Sequence, residues 1–300
     1  GATFAELSLM MPKAGGLSTY TLTAMGPFPA IVATICGYII PNILVSPAEL
    51  FLLEEIFSNL FPGAISYIGL LIIILFAVLN LLGIDIFSTV QNILAYTMVV
   101  ALVVVGIAGL TTTQTTGITM TSFLGQIEHT EGTVFSLVLL ALWAFMGLEF
   151  ICPLVEETKN PEKNLPKTFW AASIVLLILY TMISLVGMRQ LSPEKILSSN
   201  IPHWLLLESL FGKAGGILMA VLAITATSTS INTVMAVVPR MLYGMAHHKQ
   251  IPAVFMRLHP TFKTPWVGIL FFSFSIMVIG AIFRGSQNFV IFLLISSGTG

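Results

Sequence analysis

Long apolar runs separated by short polar stretches dominate the pattern of this 300-residue chain. A run of about 20 apolar residues can cross a bilayer as a helix. Partial runs lie at 1–10 and 287–300, and runs of near-spanning length lie at 28–57, 64–82, 93–110, 134–155, 169–188, 214–246 and 266–283. The pattern predicts an all-α membrane protein with seven full helices and two partial ones, forming a single transmembrane domain over residues 1–300.

Two of these runs contain residues that interrupt helices. The run 28–57 is longer than a perpendicular helix needs and contains Pro41 and Pro47, so we expect tilt, a kink or a tail in the interface. In the run 134–155, Gly147 weakens the helix and Pro153 removes one backbone donor. Because hydrocarbon cannot satisfy free backbone groups, a break there is expected to line a water-filled or ligand-filled site.

Composition places the chain in a lipid bilayer. Hydrophobic residues make up 56% and charged residues 8%, whereas soluble domains have about 25% charged residues. A net charge of −1 does not indicate the basic surface that nucleic-acid binding requires. The cysteines and histidines have no metal-ligand spacing, and the sequence has no HExxH motif or paired nucleophile and base. We therefore expect neither a metal site nor catalytic residues.

Basic residues indicate the orientation. When successive loops alternate across the membrane, eight lysines and arginines fall on one side and four on the other. The first group is Lys13, Lys159, Lys163, Lys167, Arg240, Lys249, Arg257 and Lys263, and the second is Arg189, Lys195, Lys213 and Arg284. The positive-inside rule places the first group in the cytoplasm. We expect a multi-pass protein of the cell (plasma or inner) membrane.

Three stretches carry a family pattern in order: FAELSLMMPKAGGLSTY (4–20), LWAFMGLE followed by EETKNPEKNLPK (142–167), and PRMLYGMAHHKQIPAVFMRLHPTFKTP (239–265). They resemble the second, sixth and eighth helices, with their following loops, of amino acid–polyamine–organocation (APC) transporters. The resemblance implies a five-plus-five inverted-repeat fold, of which this chain would be a fragment lacking the first helix and the C-terminal helices. It also implies secondary active transport of an amino acid or related amine, by symport or exchange.

Other classes of protein fit the pattern less well. A channel would need a continuous polar stripe and ring-forming residues, and the sequence shows isolated breaks instead. The alternative kept open is a non-transporting sensor or a partner-dependent subunit on the same scaffold. No pattern in the chain specifies an oligomeric state.

The resemblance implies that the broken sixth helix binds the substrate. Small residues and free carbonyls at the break can receive an ammonium group, and Trp143 occupies the position of an aromatic gate. The predicted substrate-binding residues of this segment are Trp143, Ala144, Phe145, Met146 and Gly147.

A second group of candidates lies on the helix of run 28–57. Asn42, Ser46 and Glu49 are spaced so that they share one helix face. A polar stripe on a membrane helix is expected to face inward, so Asn42 and Ser46 are predicted to bind substrate. For Glu49 the alternative is a solvated position near the outer interface.

Coupling or gating is predicted for Glu149, Thr225, Ser228 and Thr229. Glu149 is either a proton-responsive carboxylate or a structural one. The hydroxyls either coordinate sodium or bond back to their own helix. Proton-coupled relatives carry a lysine on the fifth helix where this sequence has Met98, so no lysine-based proton switch is expected. No cofactor is predicted; sodium coupling, proton coupling and ion-free exchange remain the alternatives.

Overall fold

The computed structural model describes residues 2–61, 67–113, 138, 145, 147–199 and 201–284. These described residues form helices and no strand, which confirms the all-α prediction. The α-helices in chain order are α1 (Ala2–Met10), α2 (Leu17–Met25), α3 (Pro27–Thr34), α4 (Ile40–Leu60), α5 (Ile68–Leu81), α6 (Ile84–Thr111), α7 (Pro161–Gln190), α8 (Pro193–Ser198), α9 (Pro202–Phe211), α10 (Lys213–His247) and α11 (Trp266–Phe283). A π-helical turn (Ile35–Ile39) and 3-10 helices at Leu148–Glu157 and Ala253–Met256 are also present.

Five helical segments of the described residues are long and apolar enough to cross a membrane: Pro27–Leu60, Ile84–Thr111, Pro161–Gln190, Lys213–His247 and Trp266–Phe283. The predicted run 64–82 is the shorter α5, with 14 residues, which span about 21 Å at about 1.5 Å per residue. Half of run 134–155 and all of run 287–300 lie outside the described residues.

The π-helical turn joins α3 to α4 and interrupts the long run 28–57. Pro41 lies two residues after its end; a proline has no N–H, and its ring clashes with the carbonyl four residues earlier. The backbone responds by widening, and the Ile40 N–H donates to the Ile35 carbonyl five residues back. Such π-turns bend helices and are frequent at functional sites. The kink expected near Pro41 is therefore present.

The start of α7 is determined by the Lys-Asn-Pro sequence. Asn160 has φ 47°, a left-handed conformation that asparagine tolerates better than most residues. Pro161 then occupies the first helical position, where a missing N–H costs nothing. The Asn164 side chain donates to the Lys159 carbonyl (2.6 Å) and ties the turn to the first turn of α7.

The chain forms two compact units. Unit 1 contains Tyr96–Glu149 and Thr168–Leu222, and unit 2 contains Ala2–Ala95, Phe150–Lys167 and Ala223–Gly300.

In unit 1, glycines allow α6 and α7 to pack closely. A Cβ added at Gly106 would collide with Met182, and one added at Gly109 would collide with Val186. The Gln190 side chain donates to the Gly109 carbonyl (3.2 Å) across the same interface. Small residues at such interfaces are typical of helix association in membranes, where lipid is as apolar as the helix faces.

In unit 2, the second half of α10 packs with α11, which also contacts α4 and α5. Gly268 of α11 lies against the Pro239 backbone; a Cβ there would be 3.0 Å from the Pro239 Cα. The Ser273 hydroxyl bonds to the Met235 sulfur (3.3 Å), and Phe272 and Ile276 are fully buried. The core of unit 2 is therefore centred on α10 and α11.

Candidate functional site

The helix break predicted near Gly147 is present. Gly147 has φ 103°, a conformation open to glycine and strained for other residues. A 3-10 helix, Leu148–Glu157, follows directly and contains Pro153. A 3-10 helix bonds differently from an α-helix and rarely extends beyond a few residues. The segment therefore has the irregular backbone expected of a broken membrane helix.

The Glu149 side chain hydrogen-bonds to the backbone at this break. Its Oε2 accepts the Gly147 backbone N–H at 2.9 Å, so the carboxylate satisfies a donor that the interrupted helix leaves free. This contact is local, so the structural alternative, in which a neighbouring helix satisfies Glu149, stays a prediction. A proton-responsive role for the same residue stays a prediction.

Of the five residues predicted at the break, the structure describes Phe145 and Gly147. The Phe145 ring packs edge-on against Tyr180 of α7 within unit 1, with ring centroids 5.9 Å apart. Trp143, Ala144 and Met146 lie outside the described residues, and their binding role stays a prediction.

The polar stripe on α4 bonds along its own helix. The Asn42 side chain donates to the Tyr38 carbonyl (2.7 Å), and the Ser46 hydroxyl donates to the Asn42 carbonyl (2.6 Å). Tyr38 belongs to the π-turn, and its ring contacts Phe150, the third residue of the 3-10 helix, at 5.9 Å between centroids. Unit 2 thus brings the stripe and the start of the 3-10 helix to neighbouring positions, with Asn42 half-buried and Ser46 buried.

Glu49 does not lie in a solvated position at the outer interface, as the second alternative had it. Its carboxyl hydrogen-bonds with the Ser230 hydroxyl of α10, and its Oε2 is buried without a hydrogen-bond partner. The physical reason is that α4 continues to Leu60, so Glu49 lies eleven residues before the helix end, where α10 covers it.

The hydroxyl face of α10 is buried at Thr225, Ser228 and Thr229. Thr229 donates to the carbonyls of Thr225 (2.9 Å) and Ala226 (2.8 Å). This is the back-bonding alternative, and it leaves the oxygen lone pairs of Thr229 able to accept.

Further along the same face, Asn232 is fully buried and joins three helices. Its Oδ1 accepts from Asn80 of α5 (2.9 Å), and its Nδ2 donates to the Gln91 Oε1 of α6 (2.8 Å). The Gln91 amide nitrogen donates in turn to the Thr233 hydroxyl (2.9 Å). We call Asn80, Gln91, Asn232 and Thr233 the amide cluster. Sequence reasoning missed Asn80 and Gln91; their signal was an isolated amide in apolar α5 and the Gln91–Asn92 pair in α6.

An ion pair between buried Arg240 and exposed Glu157 also escaped sequence reasoning. Arg240 Nε and Nη2 donate to the two carboxylate oxygens of Glu157, each at 2.9 Å, while Nη1 donates to the Ala236 carbonyl (2.6 Å). Both residues lie in the family-like stretches, but Arg240 was counted there as a cytoplasmic charge alone. Paired geometry of this kind fixes the end of the 3-10 helix to α10.

Comparison with known proteins identifies the family. The amino acid permease family matches residues 1–298. The serine/threonine exchanger SteT of Bacillus subtilis (strain 168) is 29% identical over 283 residues, covering 90% of this chain and 62% of SteT. The branched-chain amino acid permease BcaP of the same organism is 30% identical over 155 residues, covering 50% of this chain and 32% of BcaP.

A mammalian protein is similar as well. The b(0,+)-type amino acid transporter 1 of Mus musculus is 25% identical over 207 residues, covering 65% of this chain and 42% of the mouse protein. The chain thus spans about three fifths, or less, of the length of these relatives. With its membrane-length helices and its match from residue 1 to residue 298, the chain is a multi-pass integral membrane protein that belongs to the amino acid permease family of the APC superfamily.

Proposed function

We propose that residues 1–300 are part of a secondary transporter, not an enzyme, that moves an amino acid or related amine across the cell membrane by symport or exchange. The observation that carries the proposal is the interruption at Gly147 with its 3-10 helix, inside a chain of the permease family. Interrupted helices in transporters present free backbone groups to charged parts of a substrate. An amino acid carries both an ammonium and a carboxylate that such groups can bind.

The relatives guide the choice of substrates. SteT is named a serine/threonine exchanger and BcaP a branched-chain amino acid permease. No ionisable side chain occurs on the described substrate candidates Phe145, Gly147, Asn42 and Ser46. Small neutral amino acids, serine and threonine first, are therefore the substrates to test, with branched-chain and cationic amino acids as comparisons.

The function is tested by counterflow with the complete gene product in liposomes. Vesicles loaded with unlabelled serine, threonine, leucine or arginine are offered the labelled form, and we expect accumulation of at least one neutral amino acid. Absence of counterflow for every compound would contradict transport by this protein alone and would favour the sensor or the partner-dependent subunit.

Trp143 provides a residue-level test of the same proposal. If its ring closes over the substrate ammonium, Trp143→Ala should lower kcat/KM by about 5- to 30-fold, since a cation–π contact contributes about 1–2 kcal/mol. Trp143→Phe should retain part of the activity. Trp170→Ala is the matched control, because Trp170 is 67% exposed on α7. Unchanged kinetics in Trp143→Ala would remove Trp143 from the site.

A further inference from the structure

The carboxyl group of Glu49 has a buried oxygen and no cation beside it among the described residues. Glu49 of α4 contacts Ser230, which lies 17 residues after Lys213 and 17 before His247 at the two ends of α10. A helix of 35 residues is about 52 Å long, whereas the hydrocarbon core is about 30 Å thick. Wherever that core falls along α10, its central residue lies inside it, and Glu49 lies at the same depth.

Few polar groups surround this carboxyl. Ser230 bonds to it, and the Oε2 is buried without a hydrogen-bond partner. Ser46, one turn earlier on α4, donates its hydroxyl to the Asn42 carbonyl instead.

The helices packed against α4 bring no cation to this depth. α5 and α11 contain no ionisable side chain at all. The ionisable residues of α10 are Lys213, Arg240, Tyr243 and His247, of which Arg240 is nearest in sequence to Ser230. Arg240 lies ten residues further along, about 15 Å at the rise of an α-helix, and its guanidinium bonds to Glu157.

On α4 itself, two carboxylates follow Glu49 towards the helix end. Glu54 accepts the Gly69 N–H and pairs with Arg284 at 3.5 Å. Glu55 is exposed. Neither contributes positive charge near Glu49.

An ionised carboxylate is costly under these conditions, because one oxygen has lost water and gained no partner. A hard metal cation would need several oxygen ligands, and among the described residues the observed hydrogen-bond partner of this carboxyl is the Ser230 hydroxyl. A proton needs a single lone pair. The chemistry of the position therefore matches a proton better than a metal ion.

We propose that Glu49 is a proton-binding residue that couples transport to the proton gradient: its carboxyl is protonated while α4 packs on α10 as seen here, and is ionised when these helices separate to admit water. On release, the carboxyl O–H bond breaks, the proton passes to water and the carboxylate remains. The inference rests on the proposed transport function and names its coupling residue. It assigns proton coupling to Glu49, where the sequence had left open proton coupling through Glu149, sodium coupling and ion-free exchange.

Infrared spectroscopy tests the protonation without any transport. The purified complete gene product should show the C=O band of a protonated carboxyl at neutral pH. That band should be missing in Glu49→Gln and retained in Glu55→Gln, a control on an exposed position of the same helix. Identical bands in the parent and in Glu49→Gln would overturn the proposal, whatever the transport data show.

Liposomes test the coupling. A one-unit inward pH gradient is a tenfold proton ratio and can sustain about tenfold substrate accumulation at one proton per substrate. The parent and Glu55→Gln should approach this accumulation, while Glu49→Gln should exchange substrate without accumulating it. Accumulation by Glu49→Gln equal to the parent, or no proton-driven accumulation by the parent, would overturn the inference and leave transport standing. Failure of counterflow in the parent would instead overturn the proposed function.

Discussion

At the scale of single residues, polar side chains inside the helices are satisfied in two ways. Ser46 and Thr229 bond to carbonyls of their own helix, which needs no neighbour. Asn232 instead reaches across to Asn80 and Gln91, and each amide supplies what the next one lacks. The second arrangement depends on three helices meeting, so it should respond more strongly to substitution.

Gln91 and its neighbour Asn92 allow this difference to be measured. Gln91→Leu removes the acceptor of Asn232 and the donor to Thr233, leaving buried amide groups unpaired at a cost of about 1–3 kcal/mol. Asn92→Leu alters an exposed position of the same helix and should be nearly neutral. Thermal unfolding in detergent should therefore show a lower Tm for Gln91→Leu alone. Equal melting temperatures for the two variants would contradict a stabilising amide cluster.

The residue scale also shows the limit of reading the sequence. Spacing placed Thr225, Ser228, Thr229 and Asn232 on one face because they share one helix. Asn80 and Gln91 lie on different helices, and both meet Asn232 only through tertiary packing, which periodicity does not encode. The burial of the Glu49 carboxyl was likewise not predictable from spacing, because it depends on how far α4 continues beyond this residue.

At the scale of elements, the apolar parts of the helices were predictable from hydropathy, whereas the polar turns at which α6 and α7 begin were not. The run 266–283 coincides with α11, and 214–246 falls one residue short of α10 at each end. In contrast, α6 begins at Ile84 rather than 93, and α7 at Pro161 rather than 169. Hydropathy detects the lipid-facing part of a helix, whereas backbone hydrogen bonds continue through the polar turns beside it.

The break at Gly147 should depend on the backbone freedom of glycine and not on the space around it. A Cβ at Gly147 would have no atom within 4 Å, so Gly147→Ala introduces backbone strain without a collision. At φ 103°, the cost should be about 1–3 kcal/mol. Gly187→Ala is the matched control, because Gly187 is helical and also open; there alanine should stabilise by up to about 1 kcal/mol.

Unfolding in detergent and counterflow measure both glycine variants. Gly147→Ala should melt lower and transport more slowly than the parent, and Gly187→Ala should melt at the same temperature or higher. A Gly147→Ala protein as stable and active as the parent would show that the break does not require glycine at this position.

At the scale of the whole molecule, charge and helix length together determine the orientation. α7 has 30 residues, about 45 Å at about 1.5 Å per residue, which exceeds the hydrocarbon core of about 30 Å. Lys163 lies in its first turn and Lys195 beyond its end, so a spanning α7 places them on opposite sides. The eight-to-four distribution of basic residues assigns Lys163 to the cytoplasm.

This orientation can be tested by labelling single cysteines in whole cells. Lys163→Cys and Lys195→Cys are introduced separately after serine has replaced Cys36, Cys152 and every cysteine of the gene product outside residues 1–300, and counterflow confirms that each variant folds. A membrane-impermeant maleimide should label position 195 in intact cells, and position 163 only after permeabilisation, because both side chains are exposed but face different compartments. Labelling of position 163 from outside would reverse the orientation, and labelling of both from outside would mean that α7 does not cross the membrane.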